Sequence, residues 1–156
     1  MTIYARISAL RLMMALIPSL AWADDATPQG EWLVKDKTAH IRIVSCDAKM
    51  WGIISWTKEP GTDSNNPDPA RQNRPVLGLP ILRGMRVSED GGWDGDIYNA
   101  DNGKIYSGNI TLSSADVLHV KGCLLGHYLC GGEDWTRLPS EAKEGSAGDV
   151  CRTVNN

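Results

Sequence analysis

Apolar and polar positions alternate along this chain in short runs separated by turn residues. After a polar lead from Asp24 to Gln29, Gly30 to Val34 opens the first run. Ala39 to Cys46 repeats with a period of two. His40, Arg42 and Val44 fall on one side and Ile41, Ile43 and Ser45 on the other, which predicts a half-buried strand. Met50 to Trp56 reads as a third strand, apolar on both faces. Between Thr57 and Pro75 the pattern stops. Pro60, Pro67, Pro69 and Pro75 remove backbone donors there, so a long loop is predicted. Pro80 to Val87 is a fourth strand with a kink at Gly84. The stretch from Gly92 to Ile110 then folds back on itself. Trp93, Gly95, Ile97 and Asn99 share one face, Asp94, Asp96 and Tyr98 the other, and Asn102-Gly103 marks the turn because both residues tolerate positive φ. Tyr98 and Tyr106 flank that turn and are expected to pair across it. The sixth strand continues to Leu112, Val117 to Cys123 is the seventh, and Glu133 to Leu138 the eighth, after a glycine-rich connection through Cys130. No long helix is predicted, and Pro139 to Asn156 reads as a polar, mobile tail tied down at Cys151.

Eight short strands joined mostly by tight turns predict an all-β antiparallel sandwich or barrel. Sequential hairpins favour an eight-stranded up-and-down barrel, which leaves no exposed sheet edge. A barrel of this size holds packed side chains or one small ligand. The Thr57–Pro75 loop, between strands three and four, is expected at its mouth as a gate.

The first residues fall outside this pattern. Arg6 and Arg11 precede an apolar run from Leu12 to Leu20, and Ala21-Trp22-Ala23 is a small-residue cleavage box. Residues 1–23 read as a signal peptide, residues 24–138 as the barrel domain and residues 139–156 as the tail. The apolar run is too short to span a bilayer, so no integral span is expected after cleavage. The whole chain carries a net charge of −3, and removing two arginines makes the remainder more acidic, which argues against nucleic-acid partners. Cys46, Cys123, Cys130 and Cys151 all lie beyond the cleavage box. An even number of cysteines in an exported chain points to disulfides in a periplasmic or secreted protein, with three pairings open. Cys123 and Cys130 bracket a short connection and are expected to join.

Gly30-x-Trp32 at the first strand, with Arg137 late in the last, resembles the calycin (lipocalin-like) pattern. That resemblance implies a buried Trp32 with the Arg137 guanidinium across its ring at one barrel end. A wider resemblance covers almost the whole exported part. Gly30-Glu31-Trp32, Ile43-Val44-Ser45-Cys46, Asn66-Pro67-Asp68, Arg74-Pro75-Val76-Leu77-Gly78-Leu79, Trp93 to Asn99, Asn102 to Tyr106, Val120 to Cys123 and Trp135-Thr136-Arg137 are similar to the bacterial family called domain of unknown function 2147. The resemblance implies an exported, calycin-like barrel and no established activity. Relatives often carry a second cysteine just before the glycine of the third strand, where this chain has Trp51. Cys46 lacks that partner, which makes Cys151 its candidate. The structural positions singled out are Gly30, Trp32, Gly103, Trp135 and Arg137.

Catalytic signatures are missing from the sequence: there is no GxSxG, HExxH or CxxC. His40 and His119 sit on polar phases and His127 in the last connection, so no metal and no cofactor is expected. Asp94 and Asp96 share a face and could act as acid and base, but alternating acids on a strand are more often its wet face. The candidates for ligand contact are Trp51, Trp56, Arg74, Trp93, Tyr98 and Tyr106, aromatic volume with a few polar tips. Plain packing competes with this, because the chain has no phenylalanine. Trp51 and Trp56 have opposite phases, so only one of them can line the interior. Arg74 either holds an anion at the mouth or pins the loop through Asp63 or Asp68. The leading expectation is a non-enzymatic barrel binding a small apolar or amphipathic ligand. The alternatives are a cell-envelope structural or interaction module with a filled barrel, and a hydrolase-type enzyme.

Overall fold

The structure, a computed structural model, describes residues 27–126, 128–139 and 147–154. The expected signal segment and His127 lie outside the described residues. Eight strands follow one another: β1 (Gly30–Leu33), β2 (Ala39–Cys46), β3 (Lys49–Thr57), β4 (Pro80–Val87), β5 (Trp93–Asn99), β6 (Lys104–Ser114), β7 (Val117–Leu124) and β8 (Leu129–Arg137). Each pairs antiparallel with the next, and β1 pairs with β8 to close an up-and-down barrel. The period-two pattern decides which side chains enter. Trp32, Ile41, Ile43, Leu82, Met85, Ile110 and Leu118 are all but completely buried and form one core with Val120 and Trp135.

One end of the barrel is a floor. Trp32 is fully buried and donates its indole N–H to the Pro28 carbonyl at 2.8 Å. The Arg137 guanidinium lies 4.2 Å from the Trp32 ring centre. It also donates to the carbonyls of Thr27 (2.8 Å), Gln29 (2.7 Å) and Ala115 (2.6 Å). A side chain on Gly30, whose φ is +131°, would meet Arg137 Nη1 at 2.8 Å, so glycine there leaves the guanidinium its path. The floor is therefore a cation–π contact and a three-carbonyl clamp in one residue. Arg137→Lys keeps the charge and loses the planar fork; it is expected to cost about 2 kcal/mol in denaturant unfolding.

A row of glycines crosses the other half of the barrel. The register aligns Gly95 with Gly108, Gly108 with Gly122 and Gly122 with Gly131, all on the inner face. Met85 and Ile97 fill the space over the first two, and Tyr106 lies over Gly122; a Cβ on Gly131 would meet open space. Strand β8 accordingly begins at Leu129, earlier than the predicted Glu133. Gly131 and Gly132 belong to the ladder because flat backbone pairs where β7 offers Gly122.

Two further differences have local causes. A register shift between His40 and Ile41 pairs Ile41 with Ile54 and His40 with Trp56, leaving Ser55 as an extra residue. The bulge reverses the phase of the strand end, so Trp51 and Trp56 share the outward phase instead of having opposite ones, and neither lines the interior. Trp56 instead stacks on His40 with ring centres 4.6 Å apart. The second difference is a helix, α1 (Ala147–Val154), where a featureless tail was expected. Val150 is buried against Val44 and Cys46 on the outer wall, with Trp51, Ile53, Cys151 and Val154 around it. That contact explains why β3 is apolar on both faces: one covers the core and the other is covered by α1.

Both expected disulfides are present, Cys46–Cys151 with a sequence separation of 105 and Cys123–Cys130 with a separation of 7. The first fastens α1 to the end of β2, near the floor. The second crosses the β7–β8 ladder near the opposite, open end.

Candidate functional site

The open end leads into a cavity of about 650 Å³. Its lining is divided. Val34, Ala39, Ile41, Ile54, Ile81 and Ile97 give an aliphatic surface on β2 to β5 and the turn after β1, and Asp36, Thr38, Thr57, Glu59 and Asp101 add polar groups to the lining. The wall on β6 to β8 carries Tyr106, Val120, Trp135 and the glycine pair Gly122 and Gly131, with one carboxylate, Glu133. Strand β8 places Glu133 two positions before Trp135 on the inner phase, opposite Val120. The Trp135 indole N–H donates to Glu133 Oε1 at 2.5 Å. Sequence reasoning missed Glu133 by treating it as the start of a strand rather than part of the inner face. Alternation from Trp135 was the signal that could have found it.

The segment between β3 and β4 runs along the rim, where Gly61, Thr62 and Val76 line the opening. It is closed on itself. Thr62 bridges to Pro75, and the Asp63 N–H donates to the Arg74 carbonyl at 2.9 Å. Asn66 Oδ1 accepts from the Asp68 N–H at 2.9 Å, the turn chemistry expected of Asn66-Pro67-Asp68. The centre of the loop is the fully buried carboxylate of Asp63. It accepts from the Tyr98 hydroxyl (2.5 Å), Asn66 Nδ2 (2.7 Å) and Arg74 Nε (2.8 Å), and Arg74 Nη2 stands 2.7 Å away. Burial alone would push the Asp63 carboxyl up; the bonds from Tyr98, Arg74 and Asn66 and the Arg74 charge outweigh it and hold the group below the usual carboxylate value. Tyr98 moves the other way: burial, then the bond to Asp63 and its charge, raise the phenol.

This network accounts for two of the six ligand-contact candidates. Arg74 pins the loop through Asp63 rather than standing free at the mouth. Tyr98 is buried under the loop on the outward phase of β5, its ring near the guanidinium groups of Arg74 and Arg83. The expected Tyr98–Tyr106 pair does not form. The last pair of the hairpin is Asn99 with Lys104, so Tyr98 sits opposite Ile105 and Tyr106 opposite Ile97, on different faces. The turn therefore spans residues 100–103, with Gly103 at φ +68°. A side chain on Gly103 would overlap the Asn65 carbonyl, so this glycine also lets the loop lie against the turn. Tyr106 faces the cavity, and its hydroxyl accepts from Asn102 Nδ2 at 2.8 Å. Trp93 packs into the core from inside the barrel, and Trp51 and Trp56 are on the outer wall. Asp94 and Asp96 are exposed on the outer wall, where Asn109 Nδ2 donates to Asp94 at 2.7 Å. His119 is outside too, 2.7 Å from Asp134.

Among the described residues no helix is long and apolar enough to cross a membrane. A search of curated protein sequences finds no match. Among solved structures, protein HP1028 from Helicobacter pylori, described as belonging to the lipocalin family, is similar to this chain with a TM-score of 0.69 at 17% identity. The match covers 82% of this chain and 97% of that one, and supports a lipocalin-like fold. The profile of the family described as "Uncharacterized protein conserved in bacteria (DUF2147)" matches residues 30–137, from the glycine at the floor to the arginine that clamps it, and the chain belongs to that family.

Proposed function

We infer that this protein binds a small apolar or amphipathic molecule inside the barrel and acts as a carrier or sensor rather than an enzyme. The cavity carries this reading: about 650 Å³, open at one end, lined by both aliphatic and polar side chains, and within the size range of small-molecule sites. The lipocalin-like fold supports it by analogy. Arrangement of Asp94, Asp96, His40 and His119 on the outer wall, away from the cavity, favours binding over catalysis. The loop at the rim is the gate of this reading, hinged around the pinned Asp63.

Export belongs to the same proposal, with cleavage after Ala23 delivering the protein to the periplasm or medium. The two disulfides support an oxidising compartment. One experiment tests both parts. Native mass spectrometry of the protein purified from its own host is expected to show a chain beginning at Asp24 with a co-purified small molecule. A chain retaining Met1 refutes export, and an empty barrel that takes up no small hydrophobe refutes binding.

A second reading has its own observation. Leu125, Tyr128 and Leu129, at the tip of the β7–β8 hairpin, are 77%, 90% and 60% exposed. An apolar tip of this kind favours an envelope interaction module working through its outer surface.

A further inference from the structure

We propose that the molecule held in the barrel carries a cationic amine head, received by Glu133. This rests on the binding reading above and specifies the chemistry of its ligand. Glu133 projects from the inner face of β8 into the cavity, beside Val120 and Trp135, while Asp36, Glu59 and Asp101 also line the space and make it acidic, which favours a cation. Its Oε1 is held by the Trp135 indole at 2.5 Å; among the described residues it has no other hydrogen bond and no cationic partner. A partly buried carboxylate is costly when its second oxygen has neither a donor nor a positive charge to meet it. An ammonium head supplies both. The rings of Trp135 and Tyr106, which line the same wall, add a cation–π surface suited to an amine and indifferent to a carboxylate.

The division of the cavity fits a head and a tail. Tyr106 covers Gly122, but the space over Gly131 is open and its backbone is bare beside Glu133, so a head group can approach there. Opposite stand Ile41, Ile54 and Ile81, which offer an alkyl chain a dry surface. An anionic amphiphile of the same shape would bring its charge against Glu133 and is disfavoured.

The test is isothermal titration at neutral pH with three ligands of one chain length: decylammonium, decanol and decanoate, each below its aggregation limit. Decylammonium is expected to bind about tenfold tighter than decanol, and decanoate weakest. Glu133→Gln still accepts from the Trp135 indole, so the barrel is retained. The variant is expected to lose the amine preference while binding decanol as the parent does. If decanol or decanoate binds the parent as tightly as the amine, the head-group assignment falls and the binding reading stands. An unchanged amine preference in Glu133→Gln also overturns it, and leaves Glu133 as a partner of Trp135 alone. If none of the three binds, the binding reading falls and this one with it.

Discussion

Asp63→Ala is expected to lower the unfolding free energy by about 3–5 kcal/mol, because it removes one member of a buried charged pair and strands the others. Tyr98 and Asn66 lose a buried acceptor, and Arg74 loses the charge it faces. Denaturant unfolding measures the effect. The same variant tests the gate. If the loop controls access, uptake of a bound hydrophobe should quicken when it is released; unchanged uptake with a large loss of stability makes the loop scaffold. The pH dependence has a definite sign. The Asp63 carboxyl is held below its usual value of 3.8, so its stabilisation is complete above that value and disappears as pH falls through the lower, folded-state value. The parent should lose this increment in strong acid, and the Asp63→Ala chain should lack that part of the acid limb.

Removing the Cys46–Cys151 bond with a double Cys→Ala variant is expected to cost about 4 kcal/mol. Removing Cys123–Cys130 the same way should cost about 2–3 kcal/mol. In the chain-entropy account the difference follows from sequence separations of 105 and 7, since the longer loop restrains the unfolded chain more. The longer bond also holds α1 over Val44, Trp51 and Ile53, so its loss should expose apolar surface on the outer wall. Hydrophobic-dye binding by the folded variant checks this second effect. Equal costs for the two bonds would contradict the entropic account. Small domains are stable by only about 5–15 kcal/mol, so either the Asp63 change or the longer disulfide controls a large share of the total.

The strand order and barrel were legible because a period of two is a local signal, repeated eight times with turns between. The floor was legible through Gly30, Trp32 and Arg137, because a short resemblance named all three and a clamp needs little else. The errors arose where one residue changed the parity or where distant segments met. A single bulged residue, Ser55, turned Trp56 outward, and no local pattern announces such a bulge. The four-residue turn separated Tyr98 from Tyr106. Helix α1 is short and mostly polar, and its reason for existing is the apolar outer face of β3, far earlier in the chain. That face was visible as an anomaly without its partner. The Asp63–Tyr98 bond joins residues 35 positions apart, and nothing in either neighbourhood points to the other. For the candidate site, Tyr106 was singled out and faces the cavity. Glu133 was hidden because the glycines before it, Gly131 and Gly132, mask the start of β8.

The clamp at the floor has a practical meaning for orientation. Arg137 ties down the chain at Thr27 and Gln29, and Cys151 fastens α1 beside the end of β2, so both ends of the described chain are anchored on the side away from the opening. A surface tether attached through either end would hold the barrel upright, with its opening turned toward solution. The protein can thus be displayed on a sensor chip, or fused to a larger partner, with the mouth unobstructed.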